Sequence, residues 1–314
     1  MPGRVRYTPG VRSKVAIAAC ILFASAGCDE SISLFSHRDA AENTRSLGVV
    51  SLSRSVAIET GVAAEVERFA IDARFVRFDA AYEADTRAIL GLSDLENLPD
   101  LDACGPLGAN RRAPEADAGT LPPGGAGVEL LDVGRIRVGG AERSQYLAVR
   151  TFPDLLDVVS GVTYGGVADV PYRAGAAYEV RGDRDRTPWV TVVAPPDWTD
   201  LRANGLAVAD GLAGALDAGR ALELRWTPWT ERSSDVVAAF TWTGPDGAPQ
   251  GFVCHPADDG AFDLPADAAG RLPAAPDLAG LTMRVERFSR VSFQMDRVDE
   301  AEAIFRVAVT VPVR

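Results

Sequence analysis

The sequence predicts an all-β protein, built as two antiparallel β-sandwich domains behind a signal peptide and a flexible tether. Three observations lead there. Apolar segments of strand length recur along the chain, and Gly139-Gly140, Gly165-Gly166 and Gly182-Asp183 separate several of them, as tight turns between antiparallel strands require. Between Val66 and Phe78, the residues Phe69, Ile71, Ala73 and Phe75 alternate with Ala70, Asp72 and Arg74, the period of a strand with one buried face. The second half of the chain lacks long helical periodicity altogether.

The first 27 residues read as a segment that is removed. Arg4, Arg6, Arg12 and Lys14 precede an apolar run from Val15 to Phe23, and small residues follow up to a cysteine, which is the order of a secretory signal peptide. The run is well short of the roughly 20 residues that span a bilayer as a helix. Ser25, Ala26 and Gly27 directly before Cys28 resemble the lipobox of bacterial lipoproteins. That resemblance implies cleavage between Gly27 and Cys28, a diacylglycerol on the Cys28 thiol and acylation of the new amino terminus, so that lipid anchors the exported protein to the cell membrane or the outer membrane. Several acyl chains give the stable anchoring that one does not. Asp29 leaves the choice of membrane open. The alternative is an ordinary signal peptide cut after Ala24-Ser25-Ala26, which leaves Cys28 as a free thiol. The expected organisation is signal peptide 1–27, lipidated cysteine and tether 28–46, an N-terminal sandwich 47–200 and a C-terminal sandwich 201–314.

Removing 27 of the 314 residues leaves 287, enough for one large or two ordinary domains. The removed segment holds four basic residues and no acidic one, so the formal charge of −12 becomes −16 in the mature chain. That balance argues against nucleic acid, or an anionic lipid surface, as a partner held by bulk charge. Lys14 is the one lysine in the chain, and its loss leaves no Schiff-base or lysine general base. Cys104 and Cys254 remain in the mature part besides Cys28. Export allows a disulfide between them, although they lie 150 residues apart in the chain; unpaired, each reads as a small buried apolar residue.

The polar segment Asp29 to Arg45 reads as the tether. Leu47 to Ile58 is a strand candidate, followed by Val66 to Phe78. Val76 and Phe78 fall on the opposite parity from Phe75, which predicts either a bulge or a strand covered on both faces at that end. Leu92, Leu95 and Leu98 recur at helical spacing within Thr86 to Leu98, with Ser93 as a candidate cap and Pro99 as the stop. Ala113 to Gly127 reads as an exposed loop. Strands are then expected at Val128 to Leu131, Gly134 to Val138, Gln145 to Val149, Val158 to Tyr164, Val167 to Tyr172, Ala177 to Val180 and Trp189 to Ala194, and Pro195-Pro196 marks the boundary between halves. Beyond it lie Leu206 to Val208, Ala221 to Trp226, Val236 to Trp242, Gly251 to Cys254, Ala261 to Leu264, Leu281 to Phe293 as one strand or two, and Ile304 to Val311. About seven short strands in roughly 110 residues match the count of an immunoglobulin-like sandwich, without the antibody cysteine pair.

Gly175-Ala176-Ala177-Tyr178-x-Val180, Pro195-Pro196, Leu224-Arg225-Trp226 and Asp259-Gly260-Ala261-Phe262-Asp263-Leu264-Pro265-Ala266 resemble a group of uncharacterised secreted or lipid-anchored bacterial β-sandwich proteins. The resemblance covers about residues 130–275 and rests on turn and core residues. It implies a fold and no activity. The sequence departs from the group at Arg181 to Arg186, where Gly182-Asp183-Arg184-Asp185-Arg186 stands in place of a Gly-Gly turn.

The motifs of zinc proteases, zinc ribbons, α/β-hydrolases and phosphate-binding loops are all missing. No metal, cofactor or catalytic residue is therefore assigned. Cys254-His255 cannot easily act as a nucleophile with its base, since neighbours on a strand point to opposite faces. Glu223, Asp235 and Asp246 are nominal carboxylates for a glycosidase pair, and Asp258-Asp259-Gly260 reads as a hairpin turn before a calcium loop. Trp198 and Trp229, flanked by Pro, Thr and Asp, are the candidates for an exposed ligand surface on which a sugar or peptide stacks. The expected function is a lipid-anchored, non-catalytic binding or structural module with a carbohydrate or protein partner in the envelope. An envelope hydrolase using a carboxylate pair is the alternative, and a third reading has Ile304 to Val311 donated or accepted as an edge strand.

Overall fold

The computed structural model describes residues 43–58, 65–107, 128–152, 159–208, 212, 221–230, 234–244, 246–273 and 280–312. Cys28, the signal peptide and most of the tether lie outside them. The chain is all-β: its described strands form three sheets, none closed into a barrel.

Long strands open and close the described chain. They are β1 (Thr44–Ile58) and β2 (Glu65–Asp79) at one end and β17 (Thr282–Met295) and β18 (Val298–Pro312) at the other. Between them come β3 (Cys104–Pro106), β4 (Val128–Leu130), β5 (Ile136–Gly139), β6 (Ser144–Tyr146), β7 (Val149–Phe152), β8 (Val159–Val167), β9 (Ala177–Gly182), β10 (Val190–Val193), β11 (Arg202–Ala203), β12 (Leu206–Ala207), β13 (Glu223–Arg225), β14 (Asp235–Thr243), β15 (Pro249–Cys254) and β16 (Ala261–Asp263). Val167 to Tyr172, expected as a strand, contributes just the last residue of β8. Leu281 to Phe293 is a single strand that ends in a bulge between Phe293 and Met295.

The largest sheet has ten strands in the order β3-β15-β14-β17-β18-β1-β2-β4-β8-β7, while β10-β9-β5-β6 and β12-β11-β13-β16 form two four-stranded sheets. Strands from both sides of residue 200 share the large sheet, because β1 pairs in parallel with β18 from Leu47↔Glu300 to Ala57↔Thr310. The second half divides its strands between the large sheet (β14, β15, β17, β18) and the small one (β11, β12, β13, β16). Ile304 to Val311 lies within β18, which is paired along both edges, to β17 and to β1; it is no free edge strand.

The inner face of the large sheet carries Val50 and Leu52, then Phe69, Ile71 and Phe75, then Ala303, Phe305 and Val307. All of these belong to one core cluster with Val138, Tyr178 and Val192 of one small sheet and Ala203, Leu224 and Phe262 of the other. Phe69 stacks on Phe305 across β1, with ring centroids 5.8 Å apart. Burying an aromatic or aliphatic side chain of this size is worth about 1.5–3 kcal/mol relative to exposure. Gly48 keeps room for this layer: a Cβ there would stand 2.6 Å from the ring of Phe75.

Among the described residues, the outer face is covered at one end. Leu47, Val49, Val76, Phe78, Phe288 and Ile304 are buried there under Leu90, Leu92 and Leu95. These leucines belong to the segment containing α1 (Glu83–Ile89) and α2 (Ser93–Glu96). The opposite parity of Val76 and Phe78 is thus explained by cover on both faces; the register of β2 against β1 runs without a bulge. Ser93 is the first helical residue of α2, and the cap position is Leu92, which makes no side-chain cap bond. Leu92 is fully buried, so packing places this turn where a capping hydroxyl was expected to.

Near β7 the large sheet forks. β8 pairs with β2 from Ala70↔Val167 to Ala73↔Tyr164 and then diverges, and β4 enters between them, antiparallel to β2 and parallel to β8. Gly161 stands at the fork with φ +122°, and a Cβ there would lie 2.0 Å from the carbonyl oxygen of Leu130. Gly161→Ala is expected to cost about 1–3 kcal/mol, through backbone strain and the displaced strand β4. Chemical unfolding of the variant checks this, and an unchanged midpoint would show that the fork relaxes freely.

Candidate functional site

Trp198, Trp226 and Asp258, all named from the sequence, meet in the core around Arg287. Trp198 and Trp226 pack edge to face with centroids 6.1 Å apart, and the guanidinium of Arg287 lies 4.6 Å above the Trp198 ring. Arg287, on the inner face of β17, is 1% exposed. It donates to Asp258 Oδ1 (2.9 Å), to the Thr227 carbonyl (2.8 Å) and to the Pro196 carbonyl (3.4 Å). Its Nε sits 2.8 Å from Asp258 Oδ2 but off the hydrogen-bonding angle, so that contact is ionic. Asp258 also accepts from the Trp226 indole (2.9 Å) and from the Ser234 hydroxyl. The carboxylate at the Asp258-Asp259-Gly260 turn is therefore committed to a buried cation instead of a calcium ion.

This corrects the expectation for the tryptophans. Trp198 is 7% exposed and Trp229 6%, so neither offers a stacking platform to solvent. The Trp198 indole donates to the Val307 carbonyl at 2.8 Å, which explains its burial: the indole N–H finds its partner on β18, far away in the chain. The flanking Pro, Thr and Asp residues were a local signal, and local polarity does not report such a partner.

Cys104 and Cys254 face each other directly across β3 and β15 and form a disulfide, with Cα atoms 4.0 Å apart. Beside it, His255 Nδ1 stands 3.0 Å from the Pro99 carbonyl and Nε2 stands 3.3 Å from Asp235. A carbonyl and a carboxylate both only accept, so each of these two contacts is a hydrogen bond only when its ring nitrogen is the donor. Cys254 is consumed by the disulfide, so no thiol is available to this imidazole. Glu223 instead contacts Arg225, and Asp246 Oδ1 accepts from the Ala248 amide within its hairpin. The three nominal carboxylates are not brought together.

Among the described residues, two clefts on the outer face have linings with chemistry of their own. One, of about 350 Å³, lies at the start of β1 among Thr44, Ser46, Glu83, Arg87, Asp299 and Glu300. Its charges are mutually engaged. Asp299 accepts from both the amide and the hydroxyl of Ser46 at 2.8 Å, Arg45 meets Glu83 at 2.8 Å, and Arg87 bridges Glu96 (2.7 Å) and Glu300 (3.5 Å). The hydrogen bond to Glu96 holds the Arg87 guanidinium well above its usual pKa. Nearby, burial pushes the Glu302 carboxyl up, with Arg290 and Arg87 pulling the other way.

The other cleft, of about 330 Å³, lies over the fork and is lined by Asp72, Arg74, Ile89, Leu90, Val128, Arg150 and Thr163 among others. Register explains its chemistry. Arg150 is directly opposite Thr163, and Arg74 follows Ala73↔Tyr164, the last pair before β8 diverges from β2, so the three side chains line the same cleft at the fork. Arg74 Nη1 donates to the Ile89 carbonyl (3.2 Å), which leaves its remaining N–H groups for other partners. Arg150 and Asp72 form no ion pair among the described residues. Asp72 and Arg74 were legible as the polar parity of a strand; Arg150 and Thr163 had no signal, because their place beside Arg74 depends on which strands are neighbours.

Among the described residues no group of His, Cys, Asp and Glu side chains is arranged to hold a metal ion, and no helix is long and apolar enough to cross a membrane. No protein-family model matches the chain, and no curated protein matches it.

Proposed function

We propose that this is a lipid-anchored protein of the bacterial cell envelope whose strand-built body is a non-catalytic binding module, with the cleft over the fork as its ligand surface. The observation that carries the binding reading is the lining of that cleft. It sets two guanidinium groups and one carboxylate against an apolar wall, whereas a glycosidase needs two carboxyl groups facing each other across the substrate. In the neighbouring cleft, Glu83, Asp299 and Glu300 are each engaged by arginine or serine, so neither of these two clefts presents a free carboxylate pair to a substrate.

The anchor is carried by the order of basic, apolar and small residues before Cys28. Cys28 is sixteen residues from Thr44, so at ~3.3 Å per extended residue the body stands at most about 50 Å from the bilayer. Cys28→Ser is expected to abolish incorporation of a clickable fatty acid and to move the protein from the membrane to the soluble fraction. Labelling that persists would place the lipid elsewhere or remove it from the account. For the body, a panel of envelope glycans, peptides and amphipathic small molecules should yield members that are retained by the protein and recovered chemically unchanged. Conversion of any member would overturn the non-catalytic reading.

A further inference from the structure

The cleft over the fork has a more specific chemistry than a generic binding surface. Arg74 and Arg150 line the cleft together with Thr163, and an anion held among them would offset their like charges. Asp72 is two residues from Arg74 on the same face of β2, and its carboxylate lies over Gly165, where a Cβ would stand 2.1 Å from Oδ1. The polar lining thus sums to a single positive charge, on a protein whose full chain carries −12. A monoanion balances that lining; a dianion meets the repulsion of Asp72. The Thr163 hydroxyl, half-buried in the same cleft, makes no hydrogen bond among the described residues and is free to donate to an oxygen held there.

The rest of the wall is apolar. Ile89 at the end of α1 is 55% exposed and shares the lining with Leu90 and Val128. A volume of about 330 Å³ is at the low end of small-molecule sites. Resting on the reading of the body as a binding module, we infer that this cleft takes a small amphipathic carboxylate, of medium-chain fatty-acid or arylalkanoate size. Arg74, Thr163 and Arg150 hold its head group, and Ile89, Leu90 and Val128 receive its apolar body. Arginine is suited to the head group because its planar fork matches two carboxylate oxygens.

Isothermal titration tests this with the full chain carrying Cys28→Ser, so that no detergent competes. Decanoate is expected to bind saturably at one site, to bind more weakly as salt rises, and to bind better than decanamide or decyl phosphate. Arg150→Ala, on an exposed edge strand, should weaken decanoate about tenfold at an unchanged melting temperature, and Arg150→Lys should retain part of the affinity. Thr163→Val provides a second, uncharged probe of the same cleft and should also weaken binding. Equal binding of the neutral amide, tighter binding of the phosphate, an Arg150→Ala affinity equal to the parent, or no binding of decanoate would each overturn the assignment. Such a failure leaves the binding-module reading standing, since that reading falls on turnover of the ligand panel and not on the identity of its ligand.

Discussion

Asp258→Ala should destabilise the fold by about 3–5 kcal/mol, because it leaves the buried Arg287 guanidinium without its counter-charge. The same change strips acceptors from the Trp226 indole and the Ser234 hydroxyl. The carbonyls of Pro196 and Thr227 remain as neutral partners and hold the effect within that range. Replacing both partners, as Asp258→Ala with Arg287→Met, should recover a good part of the loss, since the unpaired charge is then gone. Urea unfolding of the two single variants and the double variant decides it. A loss below about 1 kcal/mol for Asp258→Ala would mean that solvent reaches the guanidinium and that Arg287 does not fasten the large sheet to the small one.

Removing the disulfide, as Cys104→Ser with Cys254→Ser, should cost about 2–5 kcal/mol. The bridge closes a loop with a sequence separation of 150 residues, and the entropy it removes from the unfolded chain grows with the logarithm of that length. A second effect acts in the folded state. β3 is a three-residue edge strand, and without the bridge it is held to β15 by backbone pairing at Phe252↔Pro106 through Cys254↔Cys104 and by the flanking contacts of His255 with Pro99 and of Asp102 with the Ala257 amide. Its release would bare the edge of β15 and favour association between copies. The expected readouts are a lower unfolding midpoint for the double variant and the same shift in the parent protein under reductant. Equal midpoints in all three samples would remove the disulfide from the account of stability.

Much of the strand content was legible because it rests on short-range rules. The alternation of Phe69, Ile71, Ala73 and Phe75 assigns those side chains to the inner face before any partner strand is known, and each is buried there. Gly139-Gly140, Gly182-Asp183 and Pro195-Pro196 likewise mark breaks between strands, whereas Gly165-Gly166, expected as a turn, lies inside β8 and pairs with Asp72 and Ile71 of β2. The cleft was only half legible. Asp72 and Arg74 share the outward parity of β2, which the pattern reveals, while Thr163 and Arg150 reach the same cleft through the pairing of β2, β8 and β7.

Local pattern thus established that this chain is made of strands, where most of them run, and which face of β2 is apolar. It did not establish who sits beside whom. The parallel pairing of β1 with β18, sealed by Ser46 and Asp299 across 253 residues, joins the two ends of the described chain into one sheet. The burial of Trp198 follows from a carbonyl 109 residues away. Side-chain period is a property of neighbours along the backbone, whereas strand order and buried ion pairs depend on loop closure and on the summed burial of residues remote in sequence, which no window of the chain contains.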